Sequence, residues 1–273
     1  MEPSSTGDPD VPSDLPDASP GLPAPGHQPG DRLLAVFEVL LCSGVPTQLV
    51  IGQALAFAGY DPFRNETVQL GPLFALALID SVVLTVLVFL LLHARSESPR
   101  TVFLGSRPVK REGVLGVLIV PLLFLGVGAT VLLIRALLPW LHNVTTNPFE
   151  RLIRSPGEAA LFAVVAIVAG GVREEIQRGF LLRRFEQYLG GSTVGLVVVS
   201  IAFGAGHVVQ GWDAAVATAL LGLTWGLLYI QRRSIVAPVV SHAGYNALQI
   251  VQVMTLREMG ERVLTGATGA TGC

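Results

Sequence analysis

A succession of apolar runs, each close to the thickness of a bilayer core, limits this chain more than any other feature. Residues 70–92 carry a single charged side chain, Asp80, and a helix needs about 20 such residues to cross the hydrocarbon. Further runs lie at about 33–59, 114–134, 159–172, 176–189, 193–209, 214–230 and 235–254. Inside lipid every backbone N–H and C=O must be satisfied within the span itself, so the runs are expected to be helices. The predicted class is therefore all-α: a polytopic transmembrane bundle of seven or eight helices, with residues 159–189 forming either one broken helix or two. Composition agrees, with 51% hydrophobic and 14% charged residues and a mean hydropathy of +0.60. A net charge of −2 offers no basic surface, which argues against nucleic acid as a partner. Membrane lipid is the expected surrounding.

Residues 1–31 are rich in proline and aspartate and poor in large apolar side chains, the composition of a disordered acidic tail. They lack the basic start and short apolar core of a cleavable signal, so the first span is expected to stay in the mature protein. Residues 32–256 form the expected transmembrane domain and 257–273 a short flexible tail. Pro46 is a predicted kink in the first span. Arg95, Arg100, Arg107, Lys110 and Arg111 cluster after the second span, whereas only Arg64 stands with Asp61 and Glu66 after the first. The positive-inside rule then puts the later loop, the N-terminus and the pairs Arg183-Arg184 and Arg232-Arg233 on the cytoplasmic side. The single lysine among eighteen basic residues is associated with GC-rich genomes and suggests a bacterial plasma membrane. With only Cys42 and Cys273 there is no disulfide framework and no cysteine-based zinc site.

Glu174, Glu175 and Arg178 interrupt the apolar pattern at its most expensive point. An ionised side chain at bilayer depth costs roughly 2.5–3.5 kcal/mol on insertion scales, so such groups are usually paired, inward-facing and functional. Glu174 and His207 are spaced symmetrically about Gly190-Gly191, and an antiparallel hairpin turning there would bring them to one level. Ile235-Val236-Ala237 precede Pro238, which predicts an extended lead-in raising His242 toward that level. Asn246 lies one turn beyond His242 on the same face. A desolvated carboxylate can take a proton from water, and imidazole and amide donors can stabilise the oxyanion formed on a scissile carbonyl. Zn2+ held by Glu174, His207 and His242 is the rival account; a His-Glu-x-x-His pair is missing, and the metal question stays open.

These residues resemble the CAAX-prenyl-protease and bacteriocin-processing intramembrane endopeptidases, the CPBP or Abi group, over about residues 159–250. Phe203-Gly204-Ala205-Gly206-His207 matches that family's Phe-x-x-x-His motif, and His242-Ala243-Gly244-Tyr245-Asn246 its His-x-x-x-Asn motif. The first motif departs from the pattern: Glu174-Glu175-Ile176-Gln177-Arg178 has two residues between the glutamates and the arginine instead of three. With Arg178 as anchor, Arg173 occupies the first glutamate's position; with the pair as anchor, Glu174 does. The resemblance implies an endopeptidase acting on membrane-anchored peptides or proteins, with the catalytic set Glu174, Glu175, Arg178, His207, His242 and Asn246. Glu174 is the expected base and Glu175, held by Arg178, its support. Prenyl-processing members remove the last three residues of a lipidated cysteine motif, a substrate not carried over to a bacterial chain. The alternative is a non-catalytic scaffold or immunity protein, or an ion- or proton-coupled transporter using Glu174, Glu175 and Asp80. Outside the motifs, Asp80 and Glu38 are expected to make interhelical hydrogen bonds, and Trp212 and Trp225 to be interface or packing aromatics.

Overall fold

The structure, a computed structural model, describes residues 29–62 and 68–269, with side chains described as far as residue 260. Most of the expected acidic tail, as well as Arg64, Glu66 and Cys273, lie outside the described residues. Every regular element among them is helical. Besides three single 3-10 turns, they are α1 (Pro29–Leu41), α2 (Val45–Phe57), α3 (Leu70–Ala94), the short α4 (Pro99–Phe103), α5 (Val109–Leu137), α6 (Pro156–Val165), a π-helical segment (Ala166–Arg173), α7 (Glu174–Tyr188), α8 (Ser192–Ala205), α9 (Trp212–Arg232) and α10 (Val236–Gly269).

The apolar runs become these helices with small differences that have local causes. The first span is broken: α1 and α2 meet at 41°. The break falls at Ser43-Gly44, where Gly44 takes φ +88, and Pro46 sits in the first turn of α2 where its missing N–H is harmless. Residues 156–188 form one continuous helical run rather than two helices, widened by the π segment in its middle. Counting this run once and the α1/α2 pair once gives seven long helical units. Helix α10 already starts at Val236, two residues before Pro238, so Val236 and Ala237 of the expected extended lead-in are helical, and a turn over residues 233–235, with Arg233 left-handed at φ +54, precedes the helix. Its start is pinned by the Ile235 N–H donating to Phe103 O at 2.8 Å. At its other end, α10 runs as helix to Gly269, through residues read from sequence as a tail.

Helices α3, α5 and α9, together with the bent pair α1/α2, are long and apolar enough to cross a membrane. At 1.5 Å per residue, α3 is ~37 Å long. The outer faces of α1, α3 and α5 are apolar and exposed, with Phe37, Leu90 and Leu122 each more than half uncovered, as lipid-facing surfaces are. Helix α7 is different. It is too polar to face lipid, and the other helices wrap it: Phe180, Leu182 and Arg184 are nearly or fully buried. Its apolar side chains pack with Cys42, Leu84, Val88, Leu92, Phe103 and Tyr229 in the largest core cluster.

One end of the bundle is tied by ion pairs. Arg95 and Arg184 both reach Glu38, and Arg183 and Arg184 both reach Glu97. Arg232 pairs with Glu112 and Arg233 with Glu186. The arginines assigned to one membrane side by sequence thus gather at one end with α4, which also accepts a hydrogen bond from Tyr229 through Val102 O. At the other end Asp213 takes Arg135 and His142, each at 2.9 Å, and Asn143 and Asn147 of the α5–α6 connection bond Trp212 N and Gln210. Glu38 and Asp80 make the expected interhelical hydrogen bonds, from Arg95 to Glu38 and from Thr47 to Asp80, and each is also in an ion pair with an arginine.

Candidate active site

The π segment creates the site. A π turn holds more residues than an α turn, is locally strained and is concentrated at functional positions. Here it puts Gly170-Gly171 against α10 at backbone distance. A Cβ on Gly170 would lie 2.5 Å from Asn246 Nδ2 and 3.8 Å from His242 Nε2, so only glycine allows α10 to approach this far. Asn246 completes the contact by donating to Ala166 O at 3.2 Å. The next two residues after the segment are the glutamates.

These two adjacent carboxylates stand in opposite environments. Glu175 is fully buried, bonded to the Arg178 guanidinium and to His242 Nδ1, the latter at 2.8 Å. Glu174 keeps 23% of its side chain exposed, and its Oε2 lies 3.8 Å from His242 Nε2. Because a carboxylate only accepts, His242 donates its Nδ1–H to Glu175, leaving Nε2 toward Glu174. The imidazole is further fixed by stacking on Trp225, with ring centroids 3.7 Å apart and planes at 17°. Trp225 is 1% exposed, and its Nε1–H donates to Ser241 Oγ at 3.1 Å. The Arg178 guanidinium lies 4.5 Å from the Phe203 ring and 5.5 Å from Trp225, so its charge is covered by aromatic faces as well as by Glu175.

His207 follows the end of α8 and donates Nδ1–H to Phe203 O at 2.8 Å, which leaves Nε2 free. Both imidazoles lie against one phenyl ring, Phe203, with centroid distances of 4.9 Å for His207 and 6.1 Å for His242. The structure therefore brings Glu174, Glu175, Arg178, His242 and Asn246 together where α7, the π segment and α10 meet, with His207 next to them across Phe203. The ion-pair partner of Glu174 is His242 rather than His207, the partner suggested by hairpin spacing. Arg173, the other occupant of the first-motif position, turns toward Asp80.

Among the described residues no three His, Cys, Asp or Glu side chains converge closely enough to hold a metal ion. Glu174, His207 and His242 do not form a ligand set as they stand.

Three contributors carry no signal of their role in the sequence. Gly170-Gly171 is visible there as a dipeptide, but its task of admitting α10 is not. Trp225 is the packing aromatic the sequence suggests, buried in a core cluster, and the sequence does not announce that it also stacks on the His242 imidazole. The π turn leaves no compositional mark at all.

Comparison with protein families matches residues 156–248 to the model described as Rce1-like, Type II CAAX prenyl endopeptidase. This is the family to which the three motifs bear their resemblance, and the matched segment contains α6, the π segment, α7–α9 and the part of α10 that carries His242 and Asn246. At family level it supports an intramembrane endopeptidase. No curated protein and no solved structure matches the chain.

Proposed function

We propose that this protein hydrolyses peptide bonds of membrane-associated substrates, with Glu174 as the base that activates the attacking water. The observation that carries this reading is a difference in pairing. Glu38, Asp80, Glu112, Glu175 and Asp213 are each at most 3% exposed and each faces an arginine. Glu174 is partly open, and the group beside it is the His242 imidazole, 3.8 Å away, rather than a guanidinium. A carboxylate whose oxygens are taken up by a guanidinium has no lone pair left for a water proton, whereas one that is partly open does.

In this reading Glu174 removes a proton from water while the hydroxide adds to the scissile carbonyl carbon. The resulting oxyanion is stabilised by the second N–H of the Asn246 amide, with the His207 imidazole as the other candidate donor. Collapse breaks the C–N bond, and the proton held by Glu174 passes to the departing amine. His242, oriented by Glu175 and Trp225, sets the position of Glu174 and of the water. The ion-path alternative needs Asp80 and Glu38 to be open along one channel; Asp80 is closed by Arg173 and Thr47, and Glu38 by Arg95 and Arg184. The arginine-tied end would face the cytoplasm of a bacterial cell, with the N-terminus on the same side.

The test is to reconstitute the full chain in liposomes with a panel of membrane-anchored peptides, and to follow cleavage by mass spectrometry with and without a chelator. The expected result is cleavage that His242→Ala abolishes and chelation leaves unchanged. Loss of activity on chelation, restored by zinc, would replace the water-activating carboxylate with a metal mechanism. No cleavage of any anchored peptide would remove the proposal.

A further inference from the structure

Directly before Glu174 lies a buried ion pair that the proposed chemistry does not use. Arg173 closes the π segment; its Nη2 meets Asp80 Oδ2 at 2.5 Å, with side chains 7% and 4% exposed. Asp80 sits in the middle of α3, where Thr47 donates to its other oxygen and Gln48 Nε2 approaches at 3.5 Å. Arg173 Nη1 donates to Gln177 Oε1 at 3.0 Å, and Gln177 Nε2 donates to Cys42 O at 2.8 Å. Gly44 makes room for this: in its left-handed conformation, a Cβ would lie 2.6 Å from Arg173 Nη2. One arginine therefore docks against α3 and against the break between α1 and α2.

Stability is a poor explanation for such a pair. Desolvating two charges largely cancels their attraction, and well-packed apolar residues would hold the helices as firmly. What the pair supplies is register. The π segment contains two glycines, which are weak helix formers, and a π turn is less favourable than an α turn. If the segment relaxed to α-helix, a one-residue slip would turn the following side chains by about 100° around the axis. Glu174 would then leave His242. Asn246 and Gly170 hold one side of the segment against α10; Asp80 holds its last residue on the other.

We infer that Asp80 is a positioning residue for Glu174, acting through Arg173 to fix the register in which Glu174 faces His242. The inference builds on the proposed role of Glu174. It gives the helices that precede the family-matched segment a part in the chemistry.

The test compares the wild-type pair with the double variant Asp80→Asn/Arg173→Gln, which removes both buried charges together and so is expected to fold with an unchanged thermal midpoint. Arg173→Lys, which keeps the charge, is the conservative control. In one arm Glu174→Cys is placed in full-length protein carrying Cys273→Ser, and its modification by a small methanethiosulfonate is timed in detergent micelles. Labelling is expected to slow several-fold in the double variant and to stay near the wild-type rate with Arg173→Lys. In the other arm, a peptide cleaved by the wild type is expected to show kcat lowered about a hundredfold with KM unchanged, the scale of a small misplacement of a catalytic group. Unchanged labelling in the folded double variant overturns the inference, and so does a wild-type kcat. If the wild type cleaves nothing, the hydrolase reading fails while the labelling arm still decides the positioning role.

Discussion

Two buried ionic clusters in this protein are built from the same side chains and differ in one respect. At the arginine-tied end, Glu38 and Glu97 are shared among Arg95, Arg183 and Arg184, and each carboxylate meets at least two guanidinium groups. At the junction of α7 and α10, Arg178 saturates Glu175 and leaves Glu174 to an imidazole 3.8 Å away. The first cluster is closed and fastens α1, α3 and α7. The second has a surplus acidic group, and the surplus is where proton transfer is available. Burial of charge alone therefore does not mark a site in this bundle; incomplete pairing does.

Breaking the closed cluster is expected to have the largest effect on stability. Arg184→Met leaves Glu38 and Glu97 short of a partner, and removing one side of a buried pair typically costs about 3–5 kcal/mol. Thermal unfolding in micelles should record that loss, while activity per folded molecule stays near wild type. A fall in specific activity would show that the two clusters are not separate. Gly170→Ala comes next. The added methyl meets the Asn246 amide at 2.5 Å, and overpacking of this kind costs about 1–3 kcal/mol. It should also lower kcat, because α10 carries His242. A variant with normal kcat would mean that the close approach of α10 is unnecessary. The smallest effect is expected from Glu186→Gln, which removes a pair to Arg233 whose arginine is 55% exposed. Surface pairs of this kind are worth under about 1 kcal/mol, and a thermal melt should barely move.

Much of the bundle is legible from sequence because lipid enforces simple rules. Residues 70–92 read as a span from hydropathy alone, and the clustering of Arg183, Arg184, Arg232 and Arg233 with the 95–111 loop follows from charge bias. The break between α1 and α2 is legible only as a region. Pro46 draws attention, but the bend is made by Gly44, whose left-handed conformation is not written in its neighbours. For the site, the motifs identify Glu174, Glu175, His207, His242 and Asn246 by kind and spacing. They do not say which carboxylate is saturated. That depends on the π turn, which shifts the register of every residue after it, and on long-range partners such as Trp225 and Asp80 that no local pattern announces. In the shortened first motif Arg178, three residues after Glu175, still reaches it within one helical turn.

The most direct measurement is a comparison of Glu174→Gln with Glu175→Gln in the same liposomes, recording kcat on a cleaved anchored peptide together with the thermal midpoint in micelles. The expected result is a split. Glu174→Gln loses cleavage by about 10²–10⁴-fold, the contribution of a positioned general base, and melts like wild type. Glu175→Gln, which strands Arg178 among apolar and aromatic neighbours, melts earlier but keeps measurable cleavage per folded molecule. Equal activities in the two variants, or a Glu174→Gln protein that still cleaves at the wild-type rate, would contradict the account.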